Sequence, residues 1–261
     1  MRLHLFEWHD QAWFPISLRT AMTSYLTAAY ETTSFPKLWA SCLAKGMSRD
    51  GATEIVDLGS GSGGPVRRVV KELEKCGFKV CVTLTDLYPN VSGLPFQSVG
   101  ASSIRYWPEP VDATRVPAAL HGTRTLFALF HHFRPQAARA ILRDAFEQRC
   151  PICIFEGTSR TPAAIASALL IPLFVLLLTP LVRPVSWVQI LFTYIVPILP
   201  LLIFWDGLVS QLRTYSVQEL EEFTRDLQSP EYRWEVGLIE IPRMPGVPYL
   251  VGRVISASGI G

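Results

Sequence analysis

Apolar positions along the chain change their period twice, and the changes divide it into three kinds of sequence. Within residues 1–50, Leu18, Met22, Tyr25, Leu26 and Ala29 recur at helical spacing and predict an amphipathic helix. From Gly51 to about Gly157, short apolar runs alternate with helical segments, the pattern of a parallel sheet covered on both faces. Strands are predicted at 54–58, 80–86, 103–107, 125–130 and 152–156. Helices are predicted at 65–76 and 135–148, each opening on the proline that suits a first helical turn. Near the C-terminus, Ser216-Val217-Gln218-Glu219 has capping-box spacing and opens a helix to about Leu227. Two last runs, 234–241 and 249–255, read as an antiparallel hairpin joined by a longer loop at 242–248.

The second change of period is a long apolar insertion. Between Ala163 and Trp205 the only formally charged side chain is Arg183, beside Pro184 near the middle, so the stretch divides into two apolar arms of about twenty residues. A helix of that length spans roughly 30 Å, the hydrocarbon thickness of a bilayer. Two crossing helices joined by a tight turn fit this pattern, with Pro172, Pro180, Pro197 and Pro200 expected to kink them. A helix lying on the membrane surface and the wall of a lipid tunnel fit it too. Burial in a soluble core fits poorly, because helices apolar on nearly all sides would find too little cover in 261 residues.

Composition narrows the partners. Lys and Arg number 24 and Asp and Glu 22, without a basic run or stripe, so no nucleic-acid footprint is present. Charged residues are 18% of the chain, against roughly 25% in an average soluble domain. The five cysteines and the absence of an apolar leader behind Met1 point to a reducing compartment. Cys150 and Cys153 match C-x-x-C but open a strand, where residues three apart point to opposite faces, and no metal site is expected there or elsewhere.

The chemistry is concentrated in Ile55-Val56-Asp57-Leu58-Gly59-Ser60-Gly61-Ser62-Gly63-Gly64, which follows a strand and precedes a helix. Glycines there allow a sharp turn and close approach of a ligand to the backbone. One strand later, Asp86 stands where a carboxylate accepts both hydroxyls of a ribose. Gly59, Gly61 and Gly64 also satisfy G-x-G-x-x-G, so spacing alone leaves a nicotinamide dinucleotide open.

At these residues the chain resembles the class I S-adenosylmethionine (SAM)-dependent methyltransferase family, whose first motif carries an acidic residue two positions before its first glycine, as Asp57 does here. Val111-Asp112-Ala113 resembles that family's adenine-reading segment, and Phe130-His131-His132-Phe133 its fourth-strand motif. The resemblance implies a SAM site formed by Asp57, Gly59, Ser60, Gly61, Gly63, Asp86, Leu87, Asp112, Ala113 and Phe130. It also implies a Rossmann-like α/β fold with a seven-stranded, mostly parallel sheet whose last strand is antiparallel. An N-terminal helical extension precedes it, and the apolar hairpin falls between the fifth and sixth strands.

Methyl transfer from a sulfonium needs donor and acceptor held in line and, for O–H or N–H acceptors, a group to take the proton. His131 and His132 stand at the carboxyl end of the fourth strand, where open α/β sheets bind ligands, and histidine's ordinary pKa suits a general base. The same pair also serves to shape the cofactor pocket without taking a proton. Glu156, Asp206, Arg213 and Tyr215 are further candidates to face an acceptor. Set against that, Glu156 caps the chain from Gly157 onward, and Asp206 pairs with Arg213 at an interface. The aromatic stretch 6–15 is either a lid over the site or a plug on the membrane side.

These readings combine into an expectation. Residues 1–50 form a helical and aromatic lid, 51–160 a SAM-binding core, 161–207 a hydrophobic hairpin, and 208–261 the helix and strands that complete the core. The expected activity is methyl transfer to a small apolar or membrane-dissolved acceptor: a lipid, quinone, sterol-like metabolite or thiol. The protein is expected on a membrane with its catalytic domain on the cytoplasmic side. A NAD(P)-dependent oxidoreductase of a lipid-like substrate and a catalytically silent membrane scaffold are the alternatives.

Overall fold

The computed structural model describes residues 2–50, 54–89, 97–242 and 244–255. Gly51, where the α/β alternation is expected to begin, lies outside them. The centre is a sheet of eight strands: β1 (Glu54–Leu58), β2 (Cys81–Thr85), β3 (Gln97–Val99), β4 (Ser102–Tyr106), β5 (Thr123–Phe127), β6 (Ile152–Phe155), β7 (Tyr232–Ile241) and β8 (Met244–Val254). Their order is β3-β4-β2-β1-β5-β6-β8-β7. The pairs β2·β4, β1·β2, β1·β5 and β5·β6 are parallel, whereas β8 runs antiparallel to both β6 and β7. The strand order reverses beside β1, so β1 and β5 flank the switch point at which open α/β sheets take ligands.

The sheet is Rossmann-like, with one strand more than expected. The eighth is β3, a three-residue antiparallel edge strand on β4, too short to leave an alternation in the sequence. The C-terminal hairpin also differs from its expected form. Ile241 pairs with Met244, so most of the stretch taken as loop is strand, and Pro248 lies within β8 opposite Leu238.

Helices α2 (Phe35–Asp50) and α3 (Val66–Lys75) cover one face; α4 (Pro135–Glu147) and α9 (Val217–Thr224) cover the other. In α3, Val66, Val69, Val70 and Leu73 are buried; in α4, Ala138, Ile141, Leu142 and Ala145 are. Both sets follow i, i+3, i+4, i+7, the stripe that makes a helix lie on a sheet. The Ser216 and Glu219 capping box forms as its spacing predicts.

The apolar insertion packs with α1 (Ile16–Thr32) instead of the sheet. Its first arm is a run of 20 residues, Pro162–Leu181, with mean hydropathy 2.4 and only 22% of its most apolar window buried. It comprises α5 (Pro162–Ser167), α6 (Ile171–Leu178) and two 3₁₀ turns. The second arm is not one span. The segment Trp187–Ile195, which opens with α7 (Trp187–Ile190), meets α8 (Ile198–Arg213) at 86°. The break falls at Val196 and Pro197, where proline holds the preceding residue out of helical geometry and donates no N–H. Val175, Leu199 and Ile203 bury against Phe14, Met22 and Tyr25, so the insertion is anchored to the N-terminal region on one side.

Candidate functional site

Two groups of side chains meet at the carboxyl edge of the sheet. The first surrounds the glycine loop after β1. Gly59, Gly61, Gly63 and Gly64 all have φ between +36 and +92, which only glycine adopts without strain. Asp57, 3% exposed, accepts from Ser60 Oγ at 2.6 Å and Thr125 Oγ1 at 2.7 Å. It braces the loop against β5 from within. Burial pushes its carboxyl up to about 7, against the pull of those two hydroxyls.

Asp86, just past β2, accepts from Gly61 N at 2.8 Å and from Tyr88 N at 2.9 Å. Its carbonyl accepts from Val111 N at 2.9 Å, drawing the Asp112 turn toward the loop. Asp112 is exposed and accepts from the backbone and hydroxyl of Thr114, while Ala113 is buried in the core. Leu87 is 46% exposed beside them. Among the described residues a Cβ placed on Gly61 meets nothing within 4 Å, leaving space in front of that backbone of the kind an approaching ligand needs. A cleft of about 220 Å³ borders the loop on its β2 and β4 side, lined by Ser62, Gly63, Gly64, Leu84, Arg105 and Tyr106 among others. Asp86 and Asp112 are not among the residues that line it.

The second group lies past β5 and β6. Ala128 turns the chain at φ +49, and the two histidines follow on the 3₁₀ turn Phe130–His132, where a longer strand was expected. Positive φ at a residue with a side chain is a stored strain that surrounding packing must hold. Glu156 accepts from His131 N at 2.8 Å and from His131 Nδ1 at 2.7 Å, with both side chains buried. The carboxylate thus fixes the ring with its proton on Nδ1 and leaves a lone pair on Nε2. That buried Nε2 has no hydrogen-bond partner among the described residues. Glu156 therefore orients His131 instead of capping Gly157.

Two expected members of this group are otherwise engaged. Phe130, 1% exposed, packs on Tyr215 and Phe133 in the core, leaving its ring no open face. Tyr215 donates its hydroxyl to Phe133 O at 2.7 Å beneath the Arg2 guanidinium, and burial pushes it up to about 12. It is in no position to take a proton near neutral pH.

No family model and no curated sequence matches the chain. Among solved structures it is similar to the plantazolicin methyltransferase BpumL in complex with SAH, at 11% identity and TM-score 0.48 over 90% of this chain and 96% of that one. It is also similar to an O-methyltransferase family protein from Burkholderia thailandensis (13%, 0.45, 84% and 56%). A third is the O-methyltransferase NcsB1 from neocarzinostatin biosynthesis (15%, 0.43, 82% and 53%). At these identities no substrate or residue role carries over.

The aromatic N-terminal stretch, expected as a lid or a plug, is a strap held by polar contacts that the sequence did not mark. Residues 2–15 cross α8 and reach the histidines. Arg2 donates to the carbonyls of His131, at 2.7 Å, Phe133 and Arg213. Arg213, 4% exposed, lies 3.1 Å from Glu7 and 2.8 Å from Asp10 and donates to Leu5 O. Asp206 accepts instead from Trp8 N and His9 N, at 2.8 and 3.1 Å, so the expected Asp206 and Arg213 pair does not form.

Glu7 is buried beside the histidines, its Oε2 3.7 Å from His132 Nε2. Burial pushes its carboxyl up to about 7, although His132 and Arg213 pull it down. Burial also raises Asp10, but hydrogen bonds from His132 and Arg213 outweigh it and hold that carboxyl below its ordinary range. Ligand atoms of Glu7, His131 and His132 all lie within 4.8 Å of one another. A carboxylate 124 positions upstream of the histidines has no spacing to betray it, and the aromatic residues around Glu7 drew the reading toward a lid.

Proposed function

We propose that the chain is a SAM-dependent methyltransferase acting on a small apolar acceptor taken from a membrane. The observation that carries this reading is the juxtaposition of the braced glycine loop and Asp86 with a buried, oriented histidine whose outer nitrogen is unpartnered. The open space before Gly61 suits a nucleoside-bearing ligand, and Asp86, still carrying unused lone pairs, suits ribose hydroxyls. Asp112, exposed and bonded only within its own turn, is the carboxylate we assign to the adenine amine. Bound SAM would supply a sulfonium methyl group open to in-line attack.

The chain's own residues then hold the acceptor and manage its proton. An acceptor O–H, N–H or S–H at the second group donates to His131 Nε2, and as the new bond to methyl forms, that proton passes to Nε2. Glu156, charge-paired with Nδ1–H, stabilises the imidazolium so formed. Arg2 and Arg213 tie the strap over this point and keep water from it.

The apolar insertion supports the choice of acceptor. Leu169, Leu173, Phe174, Leu177, Leu181, Trp187 and Ile195 are exposed, and a contiguous apolar surface of this kind marks a membrane or partner contact. Arg183, its one charge, spends Nη1 on the carbonyls of Pro180 and Val182. We place this surface in the lipid of a bilayer, with the sheet edge held at the cytoplasmic surface. The test is incubation with labelled SAM and a membrane extract. Transfer of label to an extractable lipid-phase compound by wild type, lost in Asp86→Ala, supports the proposal. No transfer above that control sinks it and favours a silent scaffold.

A further inference from the structure

We propose that Glu7, His131 and His132 bind one divalent transition-metal cation of the zinc class. Three observations converge. Glu156 holds Nδ1 of His131 and Asp10 holds Nδ1 of His132 at 3.1 Å, so each ring is oriented by a carboxylate and turns Nε2 inward. A carboxylate on one imidazole nitrogen with the other facing a common point is the outer-shell arrangement of histidine metal sites. His131 Nε2, on a side chain 4% exposed, is left without a partner.

The second observation is the gap itself. Ser210 and Arg213 occupy Glu7 Oε1, at 3.1 Å each, leaving Oε2 to face His132 Nε2 across 3.7 Å. With the proton on Nδ1 toward Asp10, Oε2 and Nε2 face each other across this gap, which a positive centre, a shared proton or a metal cation, bridges. Tetrahedral ligands at zinc bond lengths stand about 3.4 Å apart, so this pair needs little movement, and the other separations, all within 4.8 Å, close by rotation of the side chains.

The third is charge. Four carboxylates, Glu7, Asp10, Glu156 and Asp206, face two guanidiniums, Arg2 and Arg213, in one partly buried cluster. A divalent cation there would lie among more carboxylates than guanidiniums. Two His nitrogens and one carboxylate oxygen leave a fourth position open, the ligand count of a catalytic site.

The inference rests on the methyltransferase reading only for its consequence. An acceptor's oxygen or sulfur would bind at the cation's open position and have its pKa lowered there, so that the lone pair of His131 is spent on the cation and is not needed to take the acceptor's proton. Binding is tested without turnover. The full-length protein is stripped with chelator and titrated with Co²⁺ and Zn²⁺ by calorimetry, with the visible Co²⁺ spectrum followed in parallel.

One equivalent binding, a tetrahedral Co²⁺ band, and at least tenfold weaker binding in both Glu7→Gln and His132→Ala are expected. His132 is a quarter exposed, so its truncation leaves the fold in place where Glu7→Gln loosens the strap. No binding up to millimolar cation, or binding unchanged in His132→Ala, overturns the inference. SAM titration of the same stripped protein separates the two readings: SAM binding without cation binding removes the metal and leaves the methyltransferase.

Discussion

Gly59 and Gly61 stand two positions apart, both left-handed, yet a methyl group at each meets different surroundings. At Gly59 it would strike Leu129 Cδ2 at 2.3 Å, whereas at Gly61 it meets open space. Gly59→Ala should therefore cost about 1–3 kcal/mol of stability, the left-handed penalty plus repacking of Leu129. Gly61→Ala should cost only about 1–2 kcal/mol but weaken SAM binding more than tenfold, since its Cβ points where the ligand approaches. Denaturant melts paired with calorimetry distinguish the two. The sequence places both glycines in one loop; which packs inward and which faces a ligand is set by Leu129, seventy residues away.

Asp57 gives a pH signature at the same scale. Its native carboxyl titrates at about 7 against an ordinary 3.8, so the folded chain binds its proton more tightly than the unfolded chain does. Stability from this group is full below pH 4 and is lost as pH rises to about 7. Glu7, also raised to about 7, acts with the same sign. Comparing urea melts at pH 4 and pH 7, the Asp57→Asn variant should gain relative to wild type at the higher pH. A difference between the two proteins that does not change with pH would show that Asp57 titrates normally. The acidic position was legible from its place before Gly59, but its protonation was not, since its burial, which outweighs the hydrogen bonds from Ser60 and Thr125, appears only in the fold.

Among elements, the parallel strands follow from their short apolar runs, and α3, α4 and the capped α9 from period and end signals, because each helix buries one clean stripe against the sheet; β3 left no such signal. The insertion follows from composition, but its break does not. Pro172 and Pro200 fall in the first turns of α6 and α8, where a missing N–H costs nothing. Pro197 alone stands at the bend, and five prolines in one apolar run do not say which will break it. The strap was the least legible element, since its contacts to α8, polar through Glu7 and Arg213 and aromatic through Phe6 and Trp205, follow no period. Arg213 holds it there. Arg213→Ala would leave Glu7, Asp10 and the Leu5 carbonyl without their shared donor, and should destabilise by about 3–5 kcal/mol. Hydrogen exchange should show residues 3–10 losing protection before the sheet does. Protection equal to wild type would mean that the aromatic contacts of Phe6, Trp8 and Trp205 suffice to hold the strap.

For the whole molecule, one arrangement links the parts. The sheet edge carries the glycine loop and the histidines, α8 joins that edge to the apolar arms, and α1 with the strap clamps both. An acceptor dissolved in lipid would thus reach the histidines along α8 without crossing water. The protein should float with neutral phosphatidylcholine vesicles at low and high salt alike, since apolar burial and not charge would hold it. A Leu173→Glu, Phe174→Glu, Leu177→Glu variant, altered only at exposed positions, should stay at the bottom of the gradient. Wild type remaining with it would remove the membrane from the account.

The central claim is the donor, and calorimetry of the full chain with SAM, SAH and NADPH tests it most directly. The account predicts that SAM and SAH each bind once per chain, that Asp86→Ala weakens both by tenfold or more through loss of the charged hydrogen bonds to ribose, and that NADPH gives no heat of binding. Binding of NADPH alone, or of none of the three, would contradict it.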